Sequence, residues 1–127
     1  MTSAWTAADL RRIENAQELD IAPVRRNGEL RRRTPIWAVR AGDDVYVRAA
    51  YGSGSGWYGV ARASGRARIW AGGVECDVTI EDADDSVLDA VDDGYREKYG
   101  QYASIVDTIN DAEHRAATLR LVPQPSA

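Results

Sequence analysis

Arg32, Arg33 and Arg48, the loop Gly54-Ser55-Gly56 and the adjacent pair Trp57-Tyr58 are the residues of this 127-residue chain whose types and spacing can do chemistry. They border or lie within one block, residues 34–58, which reads TPIWAVRAGDDVYVRAAYGSGSGWY. Guanidinium groups hold phosphate or carboxylate through paired, charge-assisted hydrogen bonds. A glycine-serine loop offers backbone N–H groups to an anion, and neighbouring aromatic rings can cover a flat ring system. The expected ligand is therefore a planar anionic small molecule. No nucleophile stands beside a base and no carboxylate pair is singled out, so no catalytic residue is identified. Any reaction would draw its chemistry from a bound cofactor.

These residues need a sheet to position them. Thr34–Arg40 and Asp44–Ala50 read as two strands joined at Gly42-Asp43, with Val45 and Val47 on one face and Tyr46 and Arg48 on the other. Asn27-Gly28 predicts a tight type I′ hairpin that sets Arg26 opposite Glu29. Ile21–Arg26 reads as the preceding strand, with Pro23 placing it at an edge. A two-residue turn at Gly72-Gly73 fixes a second hairpin: Ala71, Ile69 and Ala67 face Val74, Cys76 and Val78, while Trp70, Arg68 and Arg66 face Glu75, Asp77 and Thr79. One register satisfies both faces. Thr6 caps a helix from about Ala7 to Glu18. Helices are expected over Asp85–Tyr99 and Tyr102–Arg115, the latter with Ile105, Val106 and Ile109 as its apolar side. Thr118–Val122 closes as a strand. The expected fold is mainly β with flanking helices: a six-stranded antiparallel split β-barrel, an N-terminal helix and two helices in the C-terminal half. It occupies residues 1–127 as one domain, with 1–5 and 123–127 as flexible tails.

Composition narrows the function. A formal net charge of −4 argues against general nucleic-acid binding. The single Cys76 excludes an internal disulfide and a cysteine-built metal site, and no metal is expected. No run is apolar enough to span a membrane and no secretory leader is evident, so a cytoplasmic location is expected. Charge is uneven: residues 25–33 hold five arginines against Glu29, and residues 81–93 hold seven acids and no base. These read as solvated faces of opposite sign, the arginine end doubling as an anion-seeking rim. Gly54-Ser55-Gly56-Trp57-Tyr58-Gly59 matches the spacing of a dinucleotide fingerprint, but no long helix and parallel strand are expected after it. The acidic run fails as a calcium loop, because Val91 and Gly100 occupy ligand positions.

The segment TPIWAVRAGDDVYVRAAYGSGSGWYGVARASGRARIWAGGVECDV, together with YREKYG at 95–100 and TLRLVP at 118–123, resembles the DUF2255 family of small bacterial proteins. That family is in turn similar to the flavin-binding split barrels of the pyridoxamine-phosphate-oxidase type and to deazaflavin-dependent nitroreductases. The resemblance implies a flavin mononucleotide or deazaflavin cofactor contacted by Arg32, Arg33, Thr34, Pro35, Arg48, Ala49, Ala50, Gly54, Gly56, Trp57 and Tyr58. Two positions depart from the relatives: the turn before Thr34-Pro35 is shorter and less basic, and Gly59 stands where they carry Asn. Two functions follow: a flavin- or deazaflavin-binding protein, acting as a small oxidoreductase by hydride transfer, or a non-enzymatic barrel that serves as a binding module. The relatives include barrel-paired dimers and monomers, so a homodimer is compatible with either.

Overall fold

The computed structural model describes residues 5–49 and 56–124. Helix α1 (Ala7–Asn15) begins where Thr6 Oγ1 accepts from the Asp9 N–H at 3.1 Å, and it stops three residues earlier than expected. Leu10 and Ile13 are its buried residues. Strand β1 (Leu19–Pro23) follows, then β2 (Thr34–Ile36), β3 (Ala38–Ala41) and β4 (Asp44–Val47). Helix α2 (Gly56–Ser64) precedes the hairpin β5 (Arg66–Ala71) and β6 (Val74–Asp82). Helices α3 (Leu88–Tyr99), α4 (Ala103–Ile109) and α5 (Ala112–Ala116) lead to β7 (Leu119–Pro123).

Among the described residues the strands form one antiparallel sheet in the order β2-β1-β5-β6-β7-β4-β3. Its two ends, β2 and β3, are separated in the chain by Trp37 alone. One expected strand thus bends at Trp37 and serves both ends, which curls the sheet into a nearly closed barrel. Counting that bent segment once recovers the six expected strands. The β5–β6 hairpin takes the expected register at all six positions, from Arg66 opposite Thr79 to Ala71 opposite Val74.

Several local expectations are corrected. Asn27 does not have positive φ, so the first hairpin is not type I′. Gly28 alone is left-handed, at φ 89°, and Arg25 rather than Arg26 bonds to Glu29, its N–H donating to the Glu29 carbonyl at 2.7 Å. Asn27 Oδ1 instead accepts from the Glu29 N–H, an Asx turn that a left-handed Asn does not need. Strand β1 lies between β2 and β5, not at an edge. Pro23 is tolerated because its carbonyl accepts from Arg31 N–H, so its missing N–H also faces the hairpin, beyond the end of β2. Trp5 is core, its indole N–H donating to the Leu121 carbonyl at 3.0 Å, and Gln124 N–H bonds to the Asp77 carbonyl. Trp5, Pro123 and Gln124, expected in the flexible tails, are therefore part of the fold. The last expected helix is two, because Asp111 stops the first and caps α5 by accepting from the His114 N–H. Ile105 is 45% exposed while Val106 and Ile109 are buried.

One apolar cluster fills the barrel, combining α1, α2 and the inward residues of the sheet; a second joins the outer face of β3–β4 to α3 and α4. Tyrosines fasten the second layer. The bend at Trp37 takes the backbone out of both ladders, and buried polar backbone groups need partners. Tyr95 hydroxyl donates to the Trp37 carbonyl at 3.2 Å and accepts from the Arg48 N–H at 3.0 Å. Tyr99 hydroxyl accepts from the Ala38 N–H and donates to the Gln17 carbonyl at 2.8 Å. Lys98 Nζ donates to the Ala38 and Ile13 carbonyls. The YREKYG segment is thus the latch that holds α3 over the barrel seam.

Burial sets the alkaline response of this latch. Burial pushes the Tyr95 and Tyr99 hydroxyls well above their ordinary value of 10, and pushes the Cys76 thiol from 9 to about 11. The folded protein keeps these protons where the unfolded chain releases them, so their contribution is complete below the ordinary values and is lost as pH rises. Lys98 acts oppositely: burial pulls its ammonium down to about 8, so its unfavourable charged form is relieved between about 8 and its ordinary 10.5. The urea midpoint should hold between about pH 8 and 10 and fall steeply above 10. In Lys98→Met the fall should begin near pH 9.

Candidate functional site

A cleft of about 470 Å³ opens between the start of β2, the N-terminal end of α2 and α4. Its walls include Arg31, Arg32, Thr34, Pro35, Trp37 and Trp57. The volume falls within the range of small-molecule sites, roughly 300–1,000 Å³. The extended segment before β2 delivers the arginines. Arg31 Nη1 donates to Thr34 Oγ1 at 3.3 Å, and neither Arg31 nor Arg32 has a carboxylate ion-pair partner among the described residues. Gly56 makes room for this arrangement, since a Cβ there would lie 2.5 Å from Arg31 Nη2. The first turn of a helix also favours negative charge. Trp37 is half-buried and stacks flat on Tyr99, with ring centroids 4.1 Å apart and planes within 3°. Glu18 stands at the rim as the one acid among the lining residues.

The structure brings together Arg32, Thr34, Pro35, Gly56 and Trp57 from the residues expected at a ligand. It takes Arg33 elsewhere: its guanidinium pairs with Asp20 at 3.0 Å and lies 4.1 Å over the Trp70 ring. Ala49 is inside the barrel core. Ala50 and Gly54 lie outside the described residues. Trp57 and Tyr58 open α2, where no long helix is expected from the sequence, and both are buried, meeting edge to face at 5.8 Å. Trp57 contributes to the cleft wall; Tyr58 does not line it.

Arg48 reaches the cleft wall, yet its guanidinium is fully engaged within the protein. Nη1 donates to Asp92 Oδ1 at 2.6 Å and to Asn110 Oδ1 at 2.9 Å, and Nε donates to Thr118 Oγ1 at 2.7 Å. The Ile109 carbonyl also accepts from Nη1, at 3.3 Å, and the Leu88 carbonyl accepts from Nη2 at 3.4 Å. Each nitrogen of the guanidinium is thus bonded within the protein, and Asp92 balances its charge. Asp92 is thereby a buried member of a run read from sequence as a solvated face. Its other oxygen lies 3.0 Å from Arg115 Nε, close enough for ion pairing though the angle falls outside hydrogen-bond geometry. The remaining acids of that run are surface ions, several of them paired: Glu81 with Arg120, Asp82 with Arg62, Asp89 with Arg115 and Asp93 with Arg96.

Arg31 and Trp37 were not singled out as ligand residues. Their types carried the signal, Arg31 within the arginine run and Trp37 beside Thr-Pro-Ile. Which of three consecutive arginines meets α2 is decided by the path of the irregular segment after the hairpin.

A nearly closed antiparallel barrel with a cleft at its seam is the architecture of the split β-barrel proteins. The chain belongs to the family described as an uncharacterized protein conserved in bacteria, DUF2255, which it matches over residues 9–121. No curated protein sequence matches it. Among solved structures it is similar to the heme storage protein HutZ of Vibrio cholerae, with 14% identity, a TM-score of 0.71, and coverage of 99% of this chain and 93% of that one. A conserved hypothetical protein of Mycobacterium tuberculosis gives 13% identity and a TM-score of 0.69 over 98% and 85% of the two chains. An FAD-binding protein of Mesorhizobium loti gives 14% identity and a TM-score of 0.56 over 96% and 92%. At these identities the likeness establishes the shared fold. Among the described residues no helix is long and apolar enough to cross a membrane.

Proposed function

We infer that this protein binds a flavin or deazaflavin in the cleft between β2 and α2, and that it acts as a small oxidoreductase through that cofactor. The observation that carries this reading is the convergence of Arg31 and Arg32, free of carboxylate partners, with the first turn of α2 and two tryptophans around one cleft. Arg31, Arg32 and the α2 terminus would hold the phosphate; Trp37 and Trp57 would bound the ring. The cofactor supplies hydride transfer, and these side chains supply position and electrostatics. A heme is a poorer fit, because among the described lining residues there is no His, Cys, Met or Tyr that could ligate iron.

The test is tryptophan fluorescence titrated with flavin mononucleotide and with the deazaflavin coenzyme, since Trp37 and Trp57 line the cleft. Saturable quenching at micromolar concentration is expected, and Arg31→Ala or Arg32→Ala should weaken it by about 1.5–3 kcal/mol. Gly56→Ala should weaken binding with little loss of stability, because it displaces the end of the Arg31 side chain rather than backbone. Absence of binding for both cofactors refutes the reading. A second reading, the non-enzymatic barrel, draws on one observation: Arg48, Ala49 and Tyr58, three of the expected contacts, are built into the core.

A further inference from the structure

A second groove runs along the exposed side of α2, lined by Arg25, Arg26 and Arg66 over Val24, Val60 and Ala63. Among the described residues these three arginines pair with no carboxylate, unlike Arg62, two residues after Val60, which is held by Asp82. The two clefts are neighbours on the same two elements. Gly56 and Trp57 belong to the first, Gly59 and Val60 to the second, and at 1.5 Å per residue they lie about 5 Å apart along the helix axis. The hairpin supplies Arg31 and Arg32 to the first and Arg25 and Arg26 to the second. Five unpaired guanidiniums thus follow one path on a protein whose formal charge is −4. Among the described residues no member of the acidic run pairs with these five, and several pair with other arginines.

We propose that the ligand of the first cleft carries a second phosphate-class anionic group, attached through an extension along α2, which Arg25, Arg26 and Arg66 bind while the apolar floor receives its uncharged part. The site is therefore built for a dinucleotide-sized ligand rather than a mononucleotide. This rests on the flavin reading of the first cleft. Such charge-assisted contacts are worth about tenfold or more in affinity.

Flavin mononucleotide and flavin adenine dinucleotide, which share the ring and differ in the extension, are the probes, titrated against the intact protein and the Arg25→Gln/Arg26→Gln/Arg66→Gln variant. The dinucleotide is expected to bind at least about tenfold more tightly to the natural protein. In the variant its affinity should fall to that of the mononucleotide, whose own affinity stays within about twofold. Arg11→Gln/Arg12→Gln, on the exposed face of α1, controls for lost net charge and should leave the preference intact. Equal affinities in the natural protein, or parallel losses for both probes in the variant, overturn the proposal while the flavin reading stands. No binding of either flavin to any form removes this proposal together with the flavin half of the reading it rests on, and leaves the deazaflavin half to its own titration.

Discussion

An Arg48→Ala protein is expected to lose about 3–5 kcal/mol of folding stability, the usual cost of leaving one member of a buried ion pair behind. The side chain has no exposed surface, and its donors are taken by Asp92, Asn110, Thr118 and two carbonyls on α3 and α4. Removing it strands five acceptors at the junction of three helices and the end of β4, and it empties a space that the guanidinium filled. Urea unfolding at pH 7 measures the loss. Arg48→Met/Asp92→Leu should be milder than Arg48→Ala, because it removes the charges together and keeps the volume. If Arg48→Ala were as stable as the natural protein, the buried network would not bear on folding, and the guanidinium would be available to a ligand.

Gly72→Ala is the second large expectation. Gly72 has φ +56°, and a Cβ built there lands on the Arg12 carbonyl oxygen and 2.9 Å from its carbon. Both obstacles are backbone, so α1 itself must shift. A left-handed alanine costs about 1–2 kcal/mol and overpacking about 1–3 more, giving roughly 2–5 kcal/mol in total. Gly73→Ala, also left-handed but facing open space, isolates the conformational part and should cost only about 1–2 kcal/mol. Gly59→Ala, within α2 and unobstructed, should stabilise by about 0.5–1 kcal/mol. Thermal or urea unfolding of the three variants orders them. A Gly72→Ala loss no greater than that of Gly73→Ala would mean that α1 gives way without cost.

The two glycines of this turn also show how much of the fold was legible. Alternation on either side of Gly72-Gly73 determined the β5–β6 register, because slipping one strand by one residue would turn its three apolar side chains to the solvent face. The same logic separated Val45 and Val47 from Tyr46 and Arg48. Period-two and period-3.6 patterns are local, so the strands, α1 and α3 could be read from neighbours in the chain. Helix α2 could not. Its nine residues, GWYGVARAS, follow a glycine-serine loop and include two glycines, and its stability comes from burying Trp57, Tyr58 and Ala61 in the barrel rather than from propensity.

What the sequence by itself determined is the barrel's strands, the hairpin register, the family and part of the wall of one cleft, which Thr34, Pro35, Gly56 and Trp57 line together. The tertiary structure decided which arginines serve it. Arg31, Arg32, Arg33 and Arg48 are equivalent as residue types, and a guanidinium binds whichever anion the fold places beside it. Asp92, 44 residues from Arg48 in the chain, is brought to 2.6 Å by the packing of α3 on the barrel seam, and Asp20 draws Arg33 away. Only Arg31 and Arg32 are left facing the cleft without a carboxylate. That division depends on long-range distances, which no local pattern encodes.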